Sequence, residues 1–162
     1  MLEMKVKGLA VDQSSNVPIV ILEDLAKERA IPIWIGLFEA QAIAMKMNDV
    51  SLPRPMTHDL IKNILKEVQA TVSRIVINDI EDKAFFAVIL LSIAGNEVSI
   101  DSRPSDAIAL ALRVDAPIFV AKKVLDETRS IDLTDPRLED DKEKWKEWLE
   151  DLRPEDFGKH EM

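Results

Sequence analysis

The chain has 162 residues, of which 47% are hydrophobic, and it carries a formal net charge of −9 with no cysteine. This length and composition predict one domain with a sizeable core, and the lack of cysteine excludes disulfides and thiolate metal sites. No apolar run approaches the roughly 20 residues that span a bilayer, and the first residues do not resemble a signal peptide, so we expect a cytoplasmic protein without a membrane partner.

The predicted elements are runs of strands rich in Val, Ile and Leu, separated by polar turns and by helices. Thr57 is a suitable N-cap for the second helix, and Pro104 is a favoured first residue for the third. The run from Ala84 to Leu91 is apolar on both faces and predicts a central, covered strand. In chain order, strands are predicted at 3–12, 17–23 and 30–35, helices at 37–48 and 58–69, strands at 71–80, 84–93 and 96–101, a helix from 104 to about 115, and a short strand at 117–120.

Two strand-to-helix segments resemble each other at an offset of 65 residues. Residues 33–47 match residues 98–112, and the alanines in the matching segments Ala42-Ile43-Ala44 and Ala107-Ile108-Ala109 would let the two helices pack side by side. The sequence therefore predicts an α+β fold of two duplicated β-β-β-α units, related by a pseudo-twofold axis, whose mixed or antiparallel sheet is packed with helices. We place this domain at residues 1–127.

Polar and charged residues concentrate where strands pass into helices, and helix N-termini attract anions. The blocks that carry them look like the signature of the bifunctional nuclease domain family, in order and with little gap from about Met4 to Glu127. These blocks are Pro32–Gly36 with Glu39-Ala40, Arg54–Asp59, Asp101–Leu110 and Ala116–Ile118. The resemblance implies a small protein that cleaves both DNA and RNA.

Phosphodiester cleavage needs an activated nucleophile, stabilisation of charge on the phosphorus centre and usually one or two Mg²⁺ or Mn²⁺ ions held by carboxylates. Histidine is the obvious acid or base near neutral pH, and guanidinium groups match phosphate oxygens two at a time. The candidates for acid–base catalysis are His58, Asp106 and Asp59. The candidates for phosphate binding are Arg54, Arg103 and Ser105. The candidates for holding Mg²⁺ or Mn²⁺ are Glu39, Asp101 and Asp106.

The same residues also have a structural interpretation. His58 and Asp59 could be first-turn residues of a capped helix, and the arginines could pair with carboxylates to pin the loops. Asp106 and Arg113 lie seven residues apart on an otherwise apolar helix, which is typical of an internal polar seam satisfied by hydrogen bonds.

Two classes of function are open. The first is a nuclease that contacts nucleic acid through phosphates with little sequence preference, because tyrosine is absent and the phenylalanines stand in apolar contexts that offer a poor stacking platform. The second is a non-catalytic interaction or ligand-binding module, which the net negative charge and the absence of an established nuclease motif favour.

Residues 128–162 are predicted to form an acidic extension with an amphipathic helix. Its apolar stripe includes Trp145, Trp148, Leu149 and Leu152 at helical spacing. Such a helix could dock on its own domain or on another subunit. A homo-oligomer could therefore form through this helix, or alternatively through a sheet edge.

Overall fold

A computed structural model of the protein describes residues 1–12 and 15–128. The predicted tail helix therefore lies outside the described residues. The strands are β1 (Leu2–Val11), β2 (Pro18–Asp24), β3 (Ala30–Trp34), β4 (Ala70–Glu81), β5 (Ala84–Ile93), β6 (Asn96–Ser102) and β7 (Ile118–Val120). The helices are α1 (Leu37–Met47), α2 (Thr57–Glu67), α3 (Pro104–Val114) and α4 (Lys122–Glu127).

The seven strands form one mixed sheet in the order β3-β2-β1-β7-β4-β5-β6. Strands β1–β3 form one antiparallel meander and strands β4–β6 form a second. Strand β7 lies between the two meanders and pairs antiparallel to β1 and parallel to β4. The α+β class and the mixed sheet are confirmed. The duplication of β-β-β-α units stays a prediction, although each meander is followed by a helix as it requires.

Tight two-residue turns connect the second meander. Asp82 and Lys83 have φ of 48° and 66°, and Ala94 and Gly95 have φ of 50° and 81°. Two successive positive φ values match the right-handed twist of the flanking strands, as in type I′ hairpins. The first of these turns places Lys83 at one end of the β4–β5 hairpin.

Helix α3 lies at the centre of the helical layer and packs against both α1 and α2. Its residues from Ala107 to Ala111 are at most 2% exposed, as expected for a helix that is apolar nearly all round. Small side chains on α1 and α3, such as Ala44 and Ala107, join the same core as Ile75 and Ile77 of β4. This close packing sets the N-termini of α1 and α3 side by side.

Two sequence predictions were wrong in detail, and one helix was missed. Helix α2 begins at Thr57 with Met56 as its N-cap, because the first-turn carboxylate of Asp59 accepts a hydrogen bond from the Met56 N–H at 3.1 Å. Strand β5 is next to the edge strand β6 rather than central, and one of its aromatic side chains, Phe86, is 39% exposed. Helix α4 was not predicted, since six residues carry little periodicity.

Within the described part of the chain, no helix is long and apolar enough to cross a membrane.

Candidate active site

Four of the predicted residues form one chain of contacts across three helix N-termini. His58 Nε2 lies 3.0 Å from Asp106 Oδ1, and Arg103 Nε donates to Asp106 Oδ2 at 2.9 Å. Arg103 Nη2 also donates to Glu39 Oε1. The order His58–Asp106–Arg103–Glu39 thus connects α2, α3 and α1, and we call these four residues the junction cluster.

The solvent exposure of the side chains differs widely among the four residues of the junction cluster. The side chains of His58 and Glu39 are 10% and 12% exposed, that of Asp106 is 32% exposed, and that of Arg103 is 66% exposed. Two carboxylates beside the guanidinium raise the pKa of Arg103, with the Asp106 hydrogen bond as the largest cause. Arg103 is therefore charged at every physiological pH and is the member that solvent reaches most easily.

Local backbone conformation places the charged groups. Pro104 follows Arg103 and holds it in an extended conformation (φ −69°, ψ 145°) at the N-cap of α3. Gly36 has the same role for α1, and neither N-cap has a side chain that accepts a bond from the helix. Glu39 and Asp106 occupy the first turns, where the helix dipole stabilises negative charge.

Gly36 leaves the space that Glu39 needs. A Cβ added at Gly36 would lie 2.2 Å from Oε2 of Glu39, well inside van der Waals contact. Its backbone angles, φ −73° and ψ 157°, would suit any residue. The glycine is therefore required for the close approach of the carboxylate rather than for its backbone conformation.

A second ion pair lies beside the cluster. Arg113, 8% exposed, donates to Asp59 Oδ1 at 2.9 Å and to the carbonyl oxygens of Ala109 and Ala42 at 2.8 and 2.9 Å. Partial burial of Asp59 raises its pKa, but the Met56 N–H and Arg113 together outweigh this and lower it below the usual value. These contacts support the interpretation of Arg113 as part of an internal polar seam between α1, α2 and α3.

The remaining predicted residues are more scattered. Ser105 is buried and lines the same cavity as Arg103, whereas exposed Arg54 lines a different cavity together with Asp59 and Arg113. Asp101 pairs with Val88 in the sheet register, on the face opposite Ala87, which belongs to the core under the helices. Arg54, Asp59 and Asp101 thus stand outside the junction cluster, and their functional roles stay predictions.

The carboxylates of the cluster contact arginine rather than one another. Within residues 1–12 and 15–128, no group of three or more His, Asp or Glu side chains could hold a metal ion. A divalent ion between Glu39 and Asp106 would have to replace the guanidinium of Arg103, which both already bind. This donor arrangement does not fit a preformed Mg²⁺ or Mn²⁺ site.

A cavity of about 400 Å³ opens beside Arg103, where the end of β3 meets the β4–β5 turn. Sequence reasoning missed it because the two segments are far apart in the chain. It also underestimated the exposed aromatic surface, since Trp34, Phe38 and Phe86 are 50%, 63% and 39% exposed. The cavity is lined by, among others, Trp34, Gly36, Lys83, Phe85, Arg103 and Ser105.

A family model matches the part of the chain that contains the strand-to-helix junctions. The model of the bifunctional nuclease domain matches residues 20–132, which include all four members of the junction cluster. The chain belongs to the bifunctional nuclease domain family. The family assignment made from the junction motifs is therefore confirmed.

Relatives within this family differ in how much of their length is shared. An uncharacterized protein of Mycobacterium tuberculosis is 37% identical over 162 residues, covering 96% of this chain and 97% of that protein. Bifunctional nuclease 1 of Arabidopsis thaliana is 29% identical over 118 residues, covering 71% of this chain but 36% of the plant protein. Bifunctional nuclease 1 of Oryza sativa subsp. japonica is 24% identical over 116 residues, covering 70% and 35%. The chain thus spans about a third of the length of these plant nucleases.

Proposed function

We propose that this protein hydrolyses phosphodiester bonds in DNA and RNA with little sequence preference. The observation that carries the proposal is the junction cluster, in which an exposed arginine joins an Asp–His pair at adjoining helix N-termini in a domain of the bifunctional nuclease family. Helix N-termini and guanidinium groups both stabilise phosphate charge.

Arg103 is the phosphate-binding residue in this scheme. Its contacts with the cluster use Nε and Nη2, which leaves Nη1 of a largely exposed side chain for a phosphate oxygen. These two contacts order the guanidinium before substrate binds, so that it can stabilise the charge that develops in the transition state. Contacts to phosphate carry no information about bases, which supports the low sequence preference.

The His58–Asp106 pair is the acid–base group. A mechanism common to DNA and RNA requires water as the nucleophile, because DNA has no 2′-hydroxyl. As water attacks phosphorus, its proton passes to Nδ1 of His58, the ring nitrogen that does not face Asp106, the bond from phosphorus to the leaving oxygen breaks, and that oxygen takes up a proton from solvent. An ionised carboxylate only accepts hydrogen bonds, so Asp106 selects the His58 tautomer with hydrogen on Nε2.

Assistance by Mg²⁺ or Mn²⁺ is a separate part of the proposal. The sequence supports it through Glu39, Asp101 and Asp106, whereas the ion pairs of Arg103 oppose a preformed site. We therefore assign no chemical step to a metal. Comparing the cleavage rates in Mg²⁺, in Mn²⁺ and in EDTA tests this part, because it separates the metal requirement from the question of whether cleavage occurs.

The test is cleavage of plasmid DNA and structured RNA by the purified protein and by the variant Arg103→Gln. We expect both substrates to be cut by the wild type and the rate to fall at least tenfold in the variant. The matched control is Arg29→Gln, which removes the same charge from an exposed arginine of the β2–β3 turn. Absence of cleavage in all three metal conditions, or equal rates in the two variants, would overturn the proposal.

A non-catalytic interaction module is the second candidate, and one observation favours it. Helix α2 exposes Leu60, Ile61 and Ile64, and its C-cap residue Val68 is exposed as well, with exposed fractions from 37% to 59%. Exposed apolar side chains close together on one helix are a common feature of surfaces that bind another protein. Sedimentation of the wild type and of Leu60→Lys/Ile64→Lys, compared with their cleavage rates, separates assembly through this surface from catalysis.

A further inference from the structure

The cavity beside Arg103 combines aromatic and cationic residues. Trp34 is the last residue of edge strand β3, and Phe85 is the second residue of β5, just after the β4–β5 turn. Lys83 and Arg103 line the same cavity. Its volume of about 400 Å³ lies within the roughly 300–1,000 Å³ that is common for sites of small ligands.

Trp34 is both exposed and fixed in place. It is 50% exposed, and its indole N–H donates to Asp12 Oδ2 at 3.0 Å. A ring that is already oriented loses little conformational freedom when a flat ligand stacks on it.

We propose that this cavity binds one unpaired nucleobase of a single-stranded nucleic acid, next to the phosphate held by Arg103. This inference rests on the proposed function, because it assigns the substrate class of that site. The base stacks on the exposed ring of Trp34, while Lys83 contacts a neighbouring phosphate. Every base has an aromatic face, so stacking of this kind adds affinity without sequence preference.

The same geometry disfavours duplex substrates. In a double helix both faces of a base are covered by its neighbours, and the base must leave the stack to enter a pocket. Single strands and loops offer their bases without that penalty. The protein therefore binds single strands and unpaired loops more tightly than duplexes of the same charge.

The first experiment uses Trp34 as its own reporter. The chain has three tryptophans, so Trp145→Phe/Trp148→Phe leaves Trp34 as the sole indole. Titration with a short oligothymidylate is expected to quench its fluorescence to saturation. A strand of abasic sugar-phosphates of equal length keeps the phosphates and lacks the bases, and it is expected to leave the fluorescence unchanged.

The second experiment measures affinity by fluorescence anisotropy of the labelled strands. Loss of one base–aromatic stack weakens binding by about 5- to 150-fold, so Trp34→Leu is expected to bind oligothymidylate that much more weakly and the abasic strand equally well. Trp34→Phe keeps an aromatic ring and is expected to recover part of the affinity. The matched control is Phe86→Leu, an exposed aromatic residue outside the cavity lining, with no expected change.

The outcomes separate this inference from the proposed nuclease activity. Base-dependent quenching by a protein that cuts no substrate supports the base site and refutes hydrolysis. Cleavage by the wild type with equal affinity of Trp34→Leu and wild type for oligothymidylate refutes the base site and leaves hydrolysis standing. Equal quenching by the abasic strand would also refute it, since the cavity would then respond to phosphates alone.

Discussion

Replacement of Asp106 by asparagine tests the acid–base pair with the smallest change in shape. The carboxylate accepts from Arg103 Nε at 2.9 Å and lies 3.0 Å from His58 Nε2. An amide has one acceptor oxygen and one donor group, so it cannot accept both bonds. Its oxygen must face the guanidinium, which only donates, and its NH₂ must then face His58.

This arrangement reverses the tautomer of His58. The amide NH₂ donates to Nε2, so the ring hydrogen moves to Nδ1, and the pair loses both its carboxylate and its protonation pattern. General acid–base catalysis contributes about 10²–10⁴-fold to the rate, and we expect a loss of that size in Asp106→Asn. The fold should lose only about 1 kcal/mol, because the side chain is 32% exposed and the amide still makes hydrogen bonds.

Three measurements are needed: cleavage rate, urea unfolding and the ¹⁵N chemical shifts of the imidazole nitrogens. The chain has two histidines, and His160→Gln assigns the remaining signals to His58. Asp115→Asn is the matched control, since it makes the same replacement at the other end of α3. A variant that keeps more than half of the wild-type rate, or one whose His58 tautomer is unchanged, would refute the reasoning. A severe loss of stability would favour a structural role instead.

Other predictions address single features of the fold. Gly36→Ala should displace the Glu39 carboxylate and slow cleavage at least tenfold, while the free energy of unfolding falls by less than about 1 kcal/mol. The control is Gly8→Ala, because a Cβ at Gly8 meets no atom within 4 Å, and it should change neither the cleavage rate nor the stability. Equal cleavage rates in the two variants would contradict this prediction. Ala94→Asn should raise the melting temperature, because asparagine tolerates the φ of 50° better and creates the Asn-Gly pair preferred in type I′ turns; unchanged or lower melting would oppose it. Asp59 has its pKa lowered from 3.8 in the folded state, so its contribution to stability is present above about pH 4 and is lost as the pH falls through that lowered value. The difference in unfolding free energy between wild type and Asp59→Asn should therefore shrink as the pH falls below about 4 and through the lowered pKa of Asp59, and a constant difference would exclude this linkage.

Local sequence patterns predicted most elements because each pattern reports on its own segment. The apolar periodicity and the prolines located seven strands and three helices to within a few residues, and Pro104 marked the start of α3 correctly. Pairing between distant segments was less accessible. The position of β5 near the sheet edge depends on where β7 inserts, and no local pattern records that.

The site was partly predictable for the same reason. Clustering of charges at strand-to-helix junctions indicated that the polar groups would meet, and His58 and Asp106 do meet although they lie 48 residues apart. The exact partners were not predictable, since Asp59 binds Arg113 while Glu39 binds Arg103. Exposure of Trp34 was hidden because its sequence neighbours are apolar, and only the tertiary position of β3 as an edge strand reveals it.

Charge balance at the site leads to a final prediction about salt. The junction cluster has one guanidinium against two carboxylates, and the chain as a whole has a net charge of −9, so a broad electrostatic attraction for nucleic acid is absent. Only Lys83 and Arg103 line the base-sized cavity as cations. For a single strand the slope of log K against log salt is about −0.7 for each neutralised phosphate, so two contacts predict a slope of about −1.4. Anisotropy titrations with oligothymidylate from low to high salt measure this slope, and Lys83→Gln should reduce it by about half. A slope several times steeper would show that a basic surface elsewhere on the protein, rather than stacking beside Arg103, supplies the affinity.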